Sequence, residues 1–230
     1  MVIYYSLLYY TAMNNIIISN TCLGQYLMHK FSILPYNNPF IATLIPNDND
    51  YIKLINKLHY YLNLIPFLGE AKNDSFFAYQ NKQAYYNHPE IKTPYPVIYL
   101  GDIEIHCIHE NNDNVCLDKF KRRQQRMLEI LKTNNYNIIT LLSFSELINH
   151  HDNYELIINN FYENNENNLK THKIFIGPTK YNNKYENYIN IDEWNNISLE
   201  RDISNILKFN NQPFSSQKIY EYITNNNIIR

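Results

Sequence analysis

The chain has 230 residues, 45% of them hydrophobic, which suffices for a sizeable core and argues against disorder. A formal net charge of −2 speaks against a nucleic-acid binder working through bulk positive potential. Three cysteines without framework spacing fit free thiols in a reducing compartment.

The first ten residues are apolar but lack a basic leader region and a small-x-small cleavage site, and they are too short to span a bilayer. The expectation is a soluble, cytoplasmic protein of one catalytic domain over residues 1–230, with the Asn225–Asn227 tail fitting a cut at a linker to a larger bifunctional protein. The 22 tyrosines and few glycines read as the bias of an AT-rich genome. Ile16 to Ile18 form a short β-branched run that reads as a buried strand. Ser19, Asn20 and Thr21 are helix-capping types, so Cys22 is expected in the first turn of a helix running toward Pro35. Unpaired N–H groups and the helix dipole there favour a thiolate. The alternative for Cys22 is a small buried hydrophobe.

Pro39 to Ile45 reads as a second strand. Asn47 to Asp50 supply caps for a helix over Tyr51 to Leu64, ended by Pro66. Glu70 to Pro94 show no clear period and read as a long functional loop. Tyr95 to Leu100 and Ile103 to His109 flank Gly101-Asp102, the signature of a hairpin with a type I′ or II′ turn. A helix follows over Asp113 to Lys132, then a strand at Tyr136 to Leu142 and short helices at Glu146 to Asn149 and Tyr154 to Phe161. Strands at Lys173 to Gly177 and Tyr188 to Ile191 precede helices at Leu199 to Phe209 and Ser215 to Thr224. Strands alternating with helices around one hairpin imply an α/β fold, a mixed β-sheet flanked by helices.

Thiol catalysis needs a sulfur, a nearby base and a group that orients the base. Cys22 at a helix start and a histidine on a later strand repeat the papain-like order. His106 and His109 are three apart on a strand and face opposite ways, so only one can meet Cys22. His109, at the strand end, is preferred as general base. A histidine bonded to backbone at a sheet edge is the alternative for each. The same divergence argues against a metal on His106 and His109, and Cys107 and Cys116 lack zinc-knuckle spacing, so no metal is expected. The adjacent His150 and His151 read as surface. Arg123 and Arg126, three apart on a helix, could hold a diphosphate, although a charge run is more commonly a solvated face. No glycine-rich phosphate loop is present in the sequence.

Several of these residues carry a family resemblance. Ile17 to Gly24, Pro39-Phe40, Asp50 to Leu54, Tyr95 to His106, His109 and Phe120-x-x-Arg123-x-x-Arg126 resemble an exopolysaccharide-biosynthesis family. His109-Glu110 with Arg123-x-x-Arg126 is also similar to a related family described as papain-like cysteine peptidases. The chain departs from the first pattern at Leu23-Gly24-Gln25, where two glycines are usual after the cysteine, and at Cys107 and Glu110. In size and composition the chain resembles the N-acetyltransferase part of larger viosamine-modifying enzymes of giant viruses.

That resemblance implies an N-acetyltransferase that uses acetyl-CoA as co-substrate and acts on a nucleotide-linked amino sugar in surface-glycan biosynthesis. It involves neither nucleic acid nor membrane, and homo-oligomerisation is left open. Cys22 would be the nucleophile or a polar site residue, and His109 the base. Asn20 or nearby backbone N–H groups would form the oxyanion hole. Glu146 would orient His109, Arg123 and Arg126 would face phosphate, and His106 joins them as a binding candidate. Direct transfer, with Cys22 structural, is equally allowed. A cysteine hydrolase, peptidase or deacylase, keeps the site and changes the class. A non-catalytic scaffold would bind sugar through tyrosines such as Tyr79, Tyr85 and Tyr86.

Overall fold

The computed structural model describes residues 14–21, 23–33, 38–72, 95–143, 154–163, 169, 171–177, 187–190 and 214–229. Cys22, Glu146, Tyr79, Tyr85, Tyr86, His150, His151 and the helices expected at Glu146–Asn149 and Leu199–Phe209 lie outside the described residues. Thirteen elements follow in order: β1 (Asn14–Ser19), α1 (Leu23–Lys30), α2 (Asp48–Asn56), α3 (Leu58–Leu62), β2 (Phe67–Gly69), β3 (Val97–Leu100), β4 (Ile103–His106), α4 (Asp113–Lys132), β5 (Tyr136–Ser143), α5 (Tyr154–Glu163), β6 (Thr171–Gly177), β7 (Tyr188–Asn190) and α6 (Phe214–Asn225).

The strands form two sheets, not one mixed sheet. β1, β5, β6 and β7 pair in that order, and every pairing is parallel. Parallel strands are covered on both faces, and all eight residues of β5 are buried, the polar Asn137, Thr140 and Ser143 included. Side chains alternate between two cores with the period of a strand. Ile16, Ile18, Ile138, Leu142 and Phe175 enter one core together with α2 to α5. Ile17, Ile139, Leu141, Ile174 and Ile176 enter the other, against Leu27 and Met28 of α1 and Ile219 and Ile223 of α6. The hairpin β3–β4 pairs antiparallel with β2 in a separate sheet.

Gly101 in the hairpin turn has φ +65°, while Asp102 does not share the left-handed region, which fits a type II′ turn. The positive φ is what favours glycine at 101; a Cβ there would also stand 2.8 Å from Leu64 Cδ1, a side-chain end that would have to shift.

Residues 39–45 do not form the expected strand. Buried Asn38 donates to Ile17 O at 3.2 Å and accepts the Phe40 N–H at 3.0 Å, folding the segment into a turn against β1. Ala42 then has φ +58°, which ends any extended run. Only Leu44 pairs, in an antiparallel bridge with His106 at 2.9 and 2.8 Å. That bridge ties the hairpin sheet to the loop leaving the parallel sheet. The helix expected over 51–64 is divided at Lys57 and starts earlier, at Asp48, because Asn47 accepts the N–H groups of Asn49 and Asp50. Among the described residues, no helix is long and apolar enough to cross a membrane.

Lys173 on β6 is 6% exposed and reaches Phe161 O at 2.6 Å and Asn56 Oδ1 at 3.1 Å. Burial lowers its pKa to about 8. The unfolded chain then binds the extra proton between pH 8 and the usual lysine value, so stability should rise with pH across that window. The charged form is disfavoured in the fold below it. The stability difference between wild type and Lys173→Met, measured by urea unfolding, is expected to shift in favour of wild type from pH 8 to 10. Its slope is at most about 1.4 kcal/mol per pH unit. A flat difference would show that Lys173 titrates alike in both states.

Candidate functional site

A cleft of about 220 Å³ opens between α1, the 39–43 turn, the chain just after β4 and the start of α4. Each wall has a local cause. On α1, Gln25 and His29 are one helical turn apart and line the same side. Thr43 is held by a hydrogen bond from its hydroxyl to Phe40 O at 3.0 Å. Ala42, in its left-handed conformation, also lines the cleft. Non-glycine residues held there cost about 1–2 kcal/mol, and such strain gathers at functional sites.

After β4 the chain turns sharply, with the Glu110 N–H donating to Cys107 O at 2.9 Å. This turn brings Cys107, His109 and Glu110 to the cleft. Asn112 then caps α4 by accepting the Val115 N–H at 3.0 Å, and the helix supplies Cys116, Lys119, Phe120 and Arg123. Lys119 Nζ donates to both carboxylate oxygens of Glu110 at 2.8 Å each.

His109 therefore belongs to a turn and not to a strand, because β4 ends at His106. It retains solvent exposure, yet desolvation holds its pKa below the ordinary imidazole value against the opposing pull of Glu110. The ring is neutral at pH 7 and able to accept a proton.

His106 is placed quite differently. It is fully buried, with Nε2 2.7 Å from Glu104 Oε1 and Nδ1 3.2 Å from the Tyr95 hydroxyl. A carboxylate only accepts, so the Nε2–H donates to Glu104, while Nδ1 shares a hydrogen bond with the Tyr95 hydroxyl. Glu104, 2% exposed, also accepts the Lys72 N–H at 3.1 Å. His106 does not line the cleft, and the binding role expected of it does not fit its position.

Asn20 is likewise committed elsewhere. Its side chain accepts the Ser143 N–H at 2.9 Å and donates to Ser143 O at 2.9 Å and Asp48 Oδ1 at 3.3 Å. One amide hydrogen joins the end of β1 to the end of β5 and the other goes to the start of α2, so the oxyanion-hole role expected of Asn20 does not fit this geometry. Arg123 lines the cleft, whereas Arg126, one turn further along α4, is exposed and lies off it.

Sequence reasoning missed Gln25, His29, Thr43, Lys119 and the two thiols Cys107 and Cys116. The thiols are both 3% exposed and line the same cleft. A signal was available for Cys116. Asn112 to Cys116 carry the same cap-then-cysteine pattern that drew attention to Cys22. Among the described residues, no group of three or more His, Cys, Asp or Glu side chains is placed to hold a metal ion.

The profile of a family described as a domain of unknown function, DUF1919, matches residues 8–225. The chain belongs to the DUF1919 family. The DUF1919 chain is also 25% identical over 112 residues to an uncharacterized protein of Haemophilus influenzae. That match covers 48% of the chain and 43% of the relative's own length. No solved structure matches.

Proposed function

We propose that this DUF1919 chain is an acyltransferase that moves an acetyl group from acetyl-CoA to the amino group of a nucleotide-linked amino sugar during surface-glycan assembly. The observation that supports this reading is His109, a neutral imidazole in a cleft whose rim carries Arg123 and Lys119. A sugar ammonium must lose a proton before its nitrogen attacks the thioester carbonyl, and His109 is the base for that step. As the C–N bond forms and the C–S bond breaks, the thiolate of coenzyme A leaves and takes that proton from His109, while the second proton that the nitrogen sheds on becoming an amide passes to solvent. A cleft near 220 Å³ accommodates the reacting ends and not two whole nucleotides. The phosphates would run outward past Arg123 toward Arg126, where a planar guanidinium suits them.

Cys22 keeps its place in the proposal as the site of a covalent variant, in the papain-like order of cysteine before α1 and histidine after β4. It precedes Gln25 by three positions and His29 by seven, and both of those residues line the cleft. The decisive assay offers acetyl-CoA with a panel of UDP- and dTDP-linked amino sugars to wild type and to Cys22→Ala. Acceptor-dependent release of the coenzyme A thiol is expected from wild type. If Cys22→Ala retains it, transfer is direct; if Cys22→Ala loses it and wild type holds a pulse of acetyl, transfer is covalent.

A cysteine hydrolase is the second reading, favoured by Cys116. It sits in the first turn of α4, and the S–H of Cys107 and the nearby Lys119 pull its thiol pKa down, although burial, Glu110 and Asp113 oppose them. No thiol release with any acceptor, together with hydrolysis of an acylated substrate, would put this reading in place of the first.

A further inference from the structure

Cys107 and Cys116 stand nine positions apart, at the two ends of the turn that carries His109. The Cys107 backbone is fixed by its N–H bond to Pro96 O at 2.9 Å, and that of Cys116 by its N–H bond to Asn112 O at 2.9 Å. Both side chains line the same cleft, and each thiol is the largest influence on the other's titration. Neither is in a disulfide. Two free thiols on separately anchored backbones, neighbours at the wall of one open cleft, make a dithiol pair and not two unrelated core residues. We propose that Cys107 and Cys116 form a redox-sensitive dithiol site that hydroperoxides close into an intrachain disulfide.

The two sulfurs divide the chemistry between them. Cys107 S–H donates to Cys116, which therefore holds the greater thiolate character, while burial and the same contact push the Cys107 thiol up. The Cys116 thiolate attacks the hydroperoxide, breaking its O–O bond, and the alkoxide or hydroxide leaves with a proton as alcohol or water. The product is a sulfenic acid on Cys116. The Cys107 sulfur then attacks that sulfur. An S–S bond forms, the S–O bond breaks, and hydroxide leaves with the Cys107 proton as water. In total two thiols give up two electrons and two protons, and the hydroperoxide receives them.

Such bonds are transient in a reducing compartment and suit sensing more than structure. His109 and Glu110 lie inside the closed ring, so oxidation ties the turn that carries the base directly to α4. Only this effect on turnover rests on the acyltransfer reading; formation of the bond does not.

The test uses the full chain, treated with a slight excess of hydrogen peroxide, blocked with N-ethylmaleimide and mapped by mass spectrometry. The expected result is a peptide linked through Cys107 and Cys116, two of three thiols lost, and recovery with dithiothreitol. Cys22→Ser should give the same linkage. Reduced wild-type protein should also be captured by immobilised phenylarsine oxide, which needs two neighbouring thiols, and Cys107→Ser and Cys116→Ser should escape it. Linkage through Cys22, oxidation that stops on a single sulfur, or no loss of thiols would overturn the proposal. The wild-type map decides without any variant, so a folding defect in a serine variant does not alter the outcome. Failure of every acceptor in the transfer assay would remove the proposed function and leave this map unchanged.

Discussion

Replacing His109 with alanine is expected to lower acceptor-dependent turnover by about 100-fold or more, the usual consequence of losing a general base. Stability should change by no more than about 0.5 kcal/mol, since the side chain is in a turn, is solvent-exposed and supports no strand pairing. The pH profile carries a second signature. Because desolvation lowers the His109 pKa, activity in wild type should hold as pH falls through 6.5 and decline only below it. Steady-state kinetics from pH 5 to 8 on both proteins, with melting curves alongside, check the three expectations together. Turnover in His109→Ala within a few-fold of wild type would remove His109 from the chemistry.

His106→Ala should do the opposite, destabilising the fold by about 3–5 kcal/mol. The loss is not chiefly that of the histidine's own bonds. Removing the ring leaves the carboxylate of Glu104, 2% exposed, facing an empty space without its 2.7 Å bond to Nε2, and takes from the Tyr95 hydroxyl its bond to Nδ1. Unfolding in urea reads the effect. A double variant, Glu104→Leu with His106→Leu, should cost less than His106→Ala alone, because it removes the buried charge together with its partner. Should His106→Ala unfold like wild type yet lose turnover equally with His109→Ala, the separation of the two histidines would be mistaken.

The sequence reading separates the two histidines by placing them on opposite faces of one strand, a premise that the structure does not keep. What the alternation rule misses is that the strand stops. β4 ends at His106, and the bond from the Glu110 N–H to Cys107 O turns the chain. Local signals of this size carry no apolar period, so they are weak in sequence. The long helix from Asp113 to Lys132 is legible to its bounds, because Asn112 caps it and its apolar stripe is regular. Residues 39–45 mislead for an identifiable reason. Their apolar run looks like a strand, but Asn38 folds it from outside the run and Ala42 takes a conformation that alanine rarely adopts. The same limit applies to the division into two sheets. Pairing partners are a tertiary choice, and hairpin residues look alike whichever sheet they join. Asn20 shows capping chemistry in the sequence, yet its bonds reach Ser143, 123 positions away, which no local pattern could reveal.

The ending of β4 three residues before His109 also bears on how such a cleft can evolve. His106 sits within the ladder, and its exchange removes the side-chain partner of buried Glu104 beside the backbone bridge to Leu44. His109 lies beyond the ladder, on an exposed turn, where a change of side chain alters the reactivity of the cleft and leaves the strand pairing in place. Glu110 shares that freedom in part, tied to Lys119 across the opening. The protein thus separates the positions that must stay fixed for the chain to fold from those that can be traded for new chemistry. At positions 109 and 110, directly beyond that fixed stretch, a lineage could pass from one substrate to another by single substitutions that spare the ladder.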